Sequence, residues 1–313
     1  MKLLLIHLIP LFVVCQVYGD IEPNESILSN DFQDWLDRNS YQTDRFASGK
    51  GYSYGGRSFR SQLVHKTPII FIHGNSDQAV GNTEFQSGWT SSINYFLSKG
   101  YRPCELYAIT WGPADISLFF QQYHSLPYLF RIRRFIQAVK EYTNQSKIHI
   151  IAHSMGVTLA RKAIKGGIGY DPLHDGYYNL GSPLSFIETF IGIAGANQGI
   201  MSCVESDPMS PMCDDTNGFY PGYLLSGSGP FGMSTFLTEL NSNPAKEAQY
   251  IFSIWSKVDS VIGAGSLVYN GKVTSRCPGQ NGERVYTTFP YGHHGVKDLT
   301  GDVQYNIITN HQV

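Results

Sequence analysis

The sequence predicts an α/β fold, a mostly parallel sheet of about six strands covered by helices on both faces. Three observations carry that expectation. Short apolar runs rich in branched residues alternate along the chain with stretches of helical spacing, the pattern of a parallel sheet whose crossovers are helices. One such run, Pro68-Ile69-Ile70-Phe71-Ile72, stops at His73-Gly74, a strand ending in a glycine turn. Another, Lys147-Ile148-His149-Ile150-Ile151, leads into Ala152-His153-Ser154-Met155-Gly156, and a helical stretch follows directly.

The chain opens with Lys2, an apolar run from Leu3 to Val14, and Val17-Tyr18-Gly19. This reads as a secretory signal peptide over residues 1–19, which implies a secreted, extracellular protein. The run is shorter than the roughly 20 residues a membrane-spanning helix needs. Residues 20–313 then form a single domain. Pro68 to Ile72 is the first buried strand. Trp89 to Lys99 has helical spacing and stops at Gly100. Glu105 to Thr110 is the second strand. From Leu126 to Thr143 a helix puts Leu129, Ile132, Phe135, Ile136 and Val139 on one face. Pro127 sits in its first turn, where a missing N–H costs nothing. Lys147 to Ala152 is the third strand and Val157 to Ile164 the next helix. Phe186 to Ala194, Tyr250 to Trp255 and Glu283 to Thr288 supply the fourth, fifth and sixth strands, and a closing helix starts at Val296. An insertion at about 197–245 breaks the alternation. It is rich in Gly, Pro and Ser yet carries Met212, Phe219, Tyr223, Leu224 and Phe236. A loop of that length is usually functional. Two readings stay open: apolar residues that cap the site or line an acyl pocket, or a small subdomain with its own core.

Composition narrows the function. The chain has 313 residues, 42% of them hydrophobic, and a net charge of −2. With no basic block, nucleic acid is excluded as a partner. No stretch beyond the leader is apolar enough to be a transmembrane segment, and no repeat is visible. Of the five cysteines, Cys15 leaves with the leader. An even number remains, which in a secreted chain implies disulfides. Proximity pairs Cys203–Cys213 and leaves Cys104–Cys277. Asn24-Glu25-Ser26 and Asn144-Gln145-Ser146 make Asn24 and Asn144 glycosylation acceptors.

A serine between small residues at a strand-to-helix turn is the nucleophile elbow of an α/β-hydrolase. The turn is too tight for large flanking side chains, and it lifts the Ser154 hydroxyl off the sheet edge. A serine hydroxyl needs a base within hydrogen-bond reach. In this fold the partners follow in the order Ser, Asp/Glu, His. His293 and His294, after the last strand, both stand where the base belongs. Asp259, just after the fifth strand, stands where the orienting acid belongs. Asp77 is a weaker acid candidate. His153 reads as structural, His73 as a brace for its loop, and Asp298 and Asp302 as solvated faces of the last helix. The oxyanion hole needs two backbone donors. Met155 follows the nucleophile, and Asn75 follows the first strand. The chemistry needs no cofactor and no metal.

Together these residues resemble the class 2 lipase family, which includes small bacterial lipases and secreted nematode lipases. The matching pieces are Pro68 to Asn75, Ala152 to Gly156, the Asp259 segment and Gly292-His293-His294-Gly295. Tyr107 to Gly112, Gly195 to Gly199 and Cys203 to Cys213 match the nematode-type members, so the resemblance runs from roughly residue 30 to the C-terminus. It implies Ser154 as nucleophile, Asp259 as acid and His293 as base, because the family pattern is Gly-His-x-Gly. It also implies Asn75 and Met155 as oxyanion donors. The stretch between Ser154 and Asp259 is longer than in the minimal bacterial members. The implied activity is hydrolysis of carboxylic esters, acylglycerols among them, by a monomer that touches a lipid interface transiently. The rivals are a short-chain carboxylesterase or thioesterase, and a lipid-binding protein without turnover. The last is disfavoured because all three catalytic positions are filled.

Overall fold

The computed structural model describes residues 27–47, 52–205, 210–225 and 228–313. The leader expected at 1–19 and the Asn24 sequon lie outside them. Seven strands form the central sheet: β1 (Ser53–Tyr54), β2 (Ile69–Ile72), β3 (Leu106–Ile109), β4 (Ile148–His153), β5 (Ile187–Ile193), β6 (Tyr250–Ser256) and β7 (Gly282–Tyr286). Their spatial order is β1-β3-β2-β4-β5-β6-β7. Every pair is parallel except β1, which runs antiparallel to β3 at the edge.

All four side chains of β2 are buried, because helices cover both faces. Ile70 and Ile72 point into the cluster under α1 (Asn30–Arg38), α3 (Leu126–Thr143) and α4 (Met155–Lys165). Ile69 and Phe71 point the other way, under α2 (Thr90–Ser98) and α6 (Gly301–Asn310). This is the strand period of two acting on a doubly covered sheet. The six expected strands occur within a residue or two of their predicted bounds. The seventh, β1, is two residues long and leaves no periodic signal. Helix α1 was also silent in the sequence. Its Asn30 to Arg38 run is mostly polar, and it is started by Ser29, whose hydroxyl accepts from the Phe32 N–H at 3.2 Å, a normal N-cap. The expected closing helix is two helices, Gly295–Asp298 and α6.

The insertion contains a one-turn helix at Ser202–Glu205, a hairpin of Tyr223–Leu225 with Ser228–Phe231, and α5 (Thr235–Ser242). Met212, Phe219, Phe236 and Leu240 join the main core cluster. Buried polar groups fasten the insertion to α4. His124, stacked on Phe236 at 3.9 Å, bonds through Nδ1 to Asn217 O and through Nε2 to Thr158 Oγ1 on α4. Arg161 of α4 donates from Nε to Glu247 at 2.7 Å and from Nη1 to Asn197 at 2.8 Å.

Cys203 and Cys213 form a disulfide. The expected Cys104–Cys277 bond is not formed, and both thiols are free and buried. Cys104 lies just before β3, whereas the Cys277 sulfur lies against Gly192 of β5. Three strand spacings separate β3 from β5, roughly 14 Å, against the 7 Å or so between Cα atoms that a disulfide tolerates. Asn144, the other sequon, is exposed and ends α3 in the left-handed conformation at φ 52°. Alkylation of the denatured, unreduced protein followed by peptide mass spectrometry is expected to label Cys104 and Cys277 and leave Cys203–Cys213 linked. A Cys104–Cys277 cross-linked peptide would contradict the topology.

Candidate active site

Strand β4 passes into α4 through a single residue, Ser154, held at φ 53° and ψ −128°. A non-glycine residue there is strained, and such strain persists only where the surroundings enforce it. Two glycines enforce it here. A Cβ on Gly156 would lie 2.2 Å from His73 O, so only glycine lets α4 start against the end of β2. A Cβ on Gly74 would lie 2.9 Å from Ser154 Cβ and 3.1 Å from His153 Nδ1. The loop after β2 therefore lies directly on the elbow. Ala152, at the elbow's first flank, is fully buried.

The late loops bring the other two residues to Ser154. His293 Nε2 is 3.1 Å from Ser154 Oγ, and His293 Nδ1 is 2.8 Å from Asp259 Oδ2. The second Asp259 oxygen accepts from the Val261 and Ile262 amides, each at 2.9 Å. Burial alone would raise the Asp259 carboxyl. The neighbouring His293, its hydrogen bond and the two amides outweigh burial and hold the group below its usual range. An ionised carboxylate only accepts, so Nδ1 of His293 donates and the Nε2 lone pair faces the serine hydroxyl. Ser154 and His293 sit at the floor of a 270 Å³ cavity whose wall includes Phe85, Ile116, Phe119 and Val261. None of the described residues of 197–245 lines it. Instead, Met212 Sδ lies 3.8 Å from the Asn75 side-chain Nδ2 and Ser210 Oγ donates to Phe120 O, so the insertion backs the wall.

Asn75 and Met155 border the elbow from two sides. Met155 is the first residue of α4, so its N–H has no partner inside the helix. The Asn75 N–H makes no hydrogen bond to any described residue. The Asn75 side chain is occupied elsewhere, donating to Phe119 O at 2.9 Å and accepting from Ser76 Oγ at 3.0 Å. The backbone amides are thus the groups open to a ligand oxygen. Among the described residues, no group of three or more His, Cys, Asp or Glu is arranged to hold a metal ion.

Two further histidines, His153 and His73, brace the site. His153 Nε2 donates to the carbonyl of His293 at 3.0 Å, so the residue before the nucleophile grips the segment bearing the imidazole. His73 stacks on Trp111 at 4.8 Å and accepts its backbone N–H. His294, the rival base, also lines the cavity but makes no hydrogen bond to Ser154, and its ring meets Phe85 edge-on. Burial pushes His73 and His294 down to about 4 and His153 well below the ordinary 6.5. Sequence reasoning missed the His153 bridge. It also put Asp298 in solvent, whereas Asp298 accepts from Ser87 Oγ at 2.8 Å and pairs with Lys297.

Fold and site together define a carboxylic ester hydrolase of the α/β type. Residues 66–306 match the family model described as Lipase (class 2), and the chain belongs to that family. Among solved structures it resembles Aspergillus fumigatus lipase B, with TM-score 0.52 and 13% identity over 83% of this chain and 56% of that one. It therefore spans little more than half of the fungal enzyme. It also resembles Bacillus licheniformis lipase BlEst2 in its mature form, with TM-score 0.52 and 14% identity over 82% of this chain and 98% of that one. At such identities the likeness is one of fold. No curated protein sequence matches the chain.

Two outcomes follow from this geometry. Gly74→Ala is expected to lower kcat/KM by roughly 100-fold in a folded protein, because the added methyl displaces the elbow; unchanged kcat/KM would show that the contact is not tight. The second concerns acid. Burial holds His124 and His149 down to about 3, as it holds His73 and His294 at about 4. As pH falls, the unfolded chain therefore binds protons first, starting near its ordinary value of about 6.5. Stability is then lost between about 6.5 and the folded values, and more slowly below them. Thermal midpoints measured across that window should fall steadily; a flat profile would contradict the burial.

Proposed function

We propose that the protein is a secreted serine ester hydrolase that cleaves carboxylic esters, acylglycerols among them, through an acyl-enzyme. The observation that carries this reading is the 3.1 Å approach of His293 Nε2 to Ser154 Oγ, with Asp259 at 2.8 Å behind the ring. Ser154 Oγ attacks the ester carbonyl carbon as its proton passes to His293 Nε2. Asp259 holds the ring and stabilises the imidazolium. The carbonyl oxygen, now negative, accepts from the Asn75 and Met155 amides, each worth about 3–4 kcal/mol in the transition state. As the tetrahedral intermediate collapses, the bond to the alcohol oxygen breaks and His293 protonates it. Water then attacks the acyl-serine by the same route and releases the acid.

The substrate class is supported by the walls. Phe85 is 58% exposed and Ile116 50%, and both line a cavity of only 270 Å³. That volume is below the usual range for pockets holding a drug-sized ligand, about 300–1,000 Å³. It suits one chain of an acylglycerol, with the remainder lying on this apolar rim. The rim supports transient contact with a lipid interface by a monomer. Secretion is supported by the leader pattern in the sequence and by the Cys203–Cys213 disulfide; such bonds persist in oxidising compartments. No helix of the described residues is long and apolar enough to cross a membrane.

Ser154→Ala is expected to cut kcat by roughly 10⁴–10⁶-fold, and Asp259→Asn by about 10⁴-fold through the wrong imidazole tautomer. Near-normal turnover in either variant would remove that residue from the mechanism. Rates on p-nitrophenyl esters of rising acyl length separate the lipase from a short-chain carboxylesterase. Turnover that persists at long chains supports the rim; activity confined to acetate and butyrate would replace the acylglycerol reading.

A further inference from the structure

Lys297 is fully buried, four residues after His293 on the one-turn helix Gly295–Asp298. A buried ammonium is tolerated only when it is paired and hydrogen-bonded. This one has four oxygens within reach. Nζ lies 3.2 Å from Asp77 Oδ2, 3.2 Å from Asp298 Oδ1, 2.8 Å from Ser87 Oγ, and donates to Gly88 O. Burial would lower the Lys297 ammonium, but Asp77 and Asp298 hold it above its ordinary value. Burial likewise works to raise Asp77, and Lys297 overrides it. Both partners are therefore charged.

Asp77 faces two ways. Its Oδ2 meets Lys297, while its Oδ1 accepts from Gln78 N at 2.8 Å and Gly88 N at 3.0 Å. The second bond closes the loop from 77 to 88, which carries Phe85 on the cavity wall and starts two residues after Asn75. Three segments meet at Ser154, and each pair has its own tie. The elbow holds the base segment through His153 Nε2 and His293 O at 3.0 Å. The elbow holds the loop after β2 through the contact of Gly74 with Ser154. The base segment and that loop are tied by Lys297, with Ser87 Oγ to Asp298 at 2.8 Å beside it. Lys297 does not line the cavity.

We propose that Lys297, through Asp77, is a positioning residue for ester hydrolysis: the buried ion pair sets the spacing between the His293 imidazole and the Asn75 amide, so that both address the same substrate at Ser154. The inference rests on the serine-hydrolase reading above. Misplacing either group by about 1 Å is expected to cost up to roughly 100-fold in turnover. A prop that merely stabilised the fold would lower the melting temperature and leave turnover per folded molecule intact.

The test measures kcat and KM for p-nitrophenyl butyrate, well below each melting temperature, in the wild type, Lys297→Met, the double variant Asp77→Asn with Lys297→Met, and Ser87→Ala. Lys297→Met should lose roughly 10- to 100-fold in kcat with KM within about twofold. The double variant removes the tie and leaves no fully buried charge unpaired, since the carboxylate that remains, Asp298, is 20% exposed, and the new carboxamide keeps an oxygen for the Gly88 amide. Its melting temperature should recover toward the wild type while kcat stays low. Recovery of kcat together with the melting temperature, or wild-type kcat in Lys297→Met, would overturn the proposal. Should Lys297→Met fail to fold, the double variant and Ser87→Ala decide. Ser87→Ala, which leaves every charge in place, should lower kcat by about threefold or more at unchanged KM; unchanged kcat would overturn the proposal. A wild type that hydrolyses no ester would instead overturn the reading on which it rests.

Discussion

The structure depends on one close contact, where β4 becomes α4 through a turn of a single residue, Ser154. The positive φ of 53° at that serine is maintained because the end of β2 packs against the start of α4 with no space for a side chain at Gly74 or Gly156. Strain at the serine and close packing at the glycines are the same fact seen from two sides. Together they fix the hydroxyl, expose the first amides of α4 and press the following loop onto the elbow. The rest of the site is hung from that point.

A second feature is how little regular structure the segment bearing His293 has of its own. Between Tyr286, the last residue of β7, and the short helix at Gly295 it has no helix or strand. Its position comes from side chains of other segments, Asp259 on the ring and His153 on the backbone carbonyl, and from its own Lys297, which reaches across to Asp77. Buried polar groups of this kind are costly unless fully partnered. Neutral, buried histidines supply directional hydrogen bonds to that carbonyl and to the Trp111 backbone without adding charge beside the cavity.

Much of this was legible in the sequence, for physical reasons. Buried parallel strands are continuous apolar runs, so β2 to β6 stood out, and α3 showed its apolar face and its first-turn proline. The elbow was legible because its geometry restricts the flanking residues to the smallest. The order of Ser154, Asp259 and His293 was legible because each follows a predicted strand, although choosing His293 over His294 needed the family pattern. Other features left no trace. β1 is too short for a period, and α1 is too polar. Cysteine parity suggested Cys104–Cys277, but parity carries no distance, and the sheet order puts the two three strands apart. Asp298 read as a solvated helix face, and Lys297 beside it drew no reading, because a lysine buried by tertiary packing has the same local sequence as an exposed one. The role of the insertion was also hidden, since a loop that backs a wall and one that covers a mouth have the same composition.

The central claim is that Ser154, His293 and two backbone amides converge on one reacting carbonyl. A crystal structure of the protein treated with a fluorophosphonate ester tests it most directly, because the tetrahedral phosphorus stands in for the attacked carbon. The account predicts phosphorus bonded to Ser154 Oγ, the phosphoryl oxygen within hydrogen-bond distance of the Asn75 and Met155 amides, and His293 Nε2 beside the ester oxygens. An adduct on another residue, or a phosphoryl oxygen turned away from both amides, would contradict it.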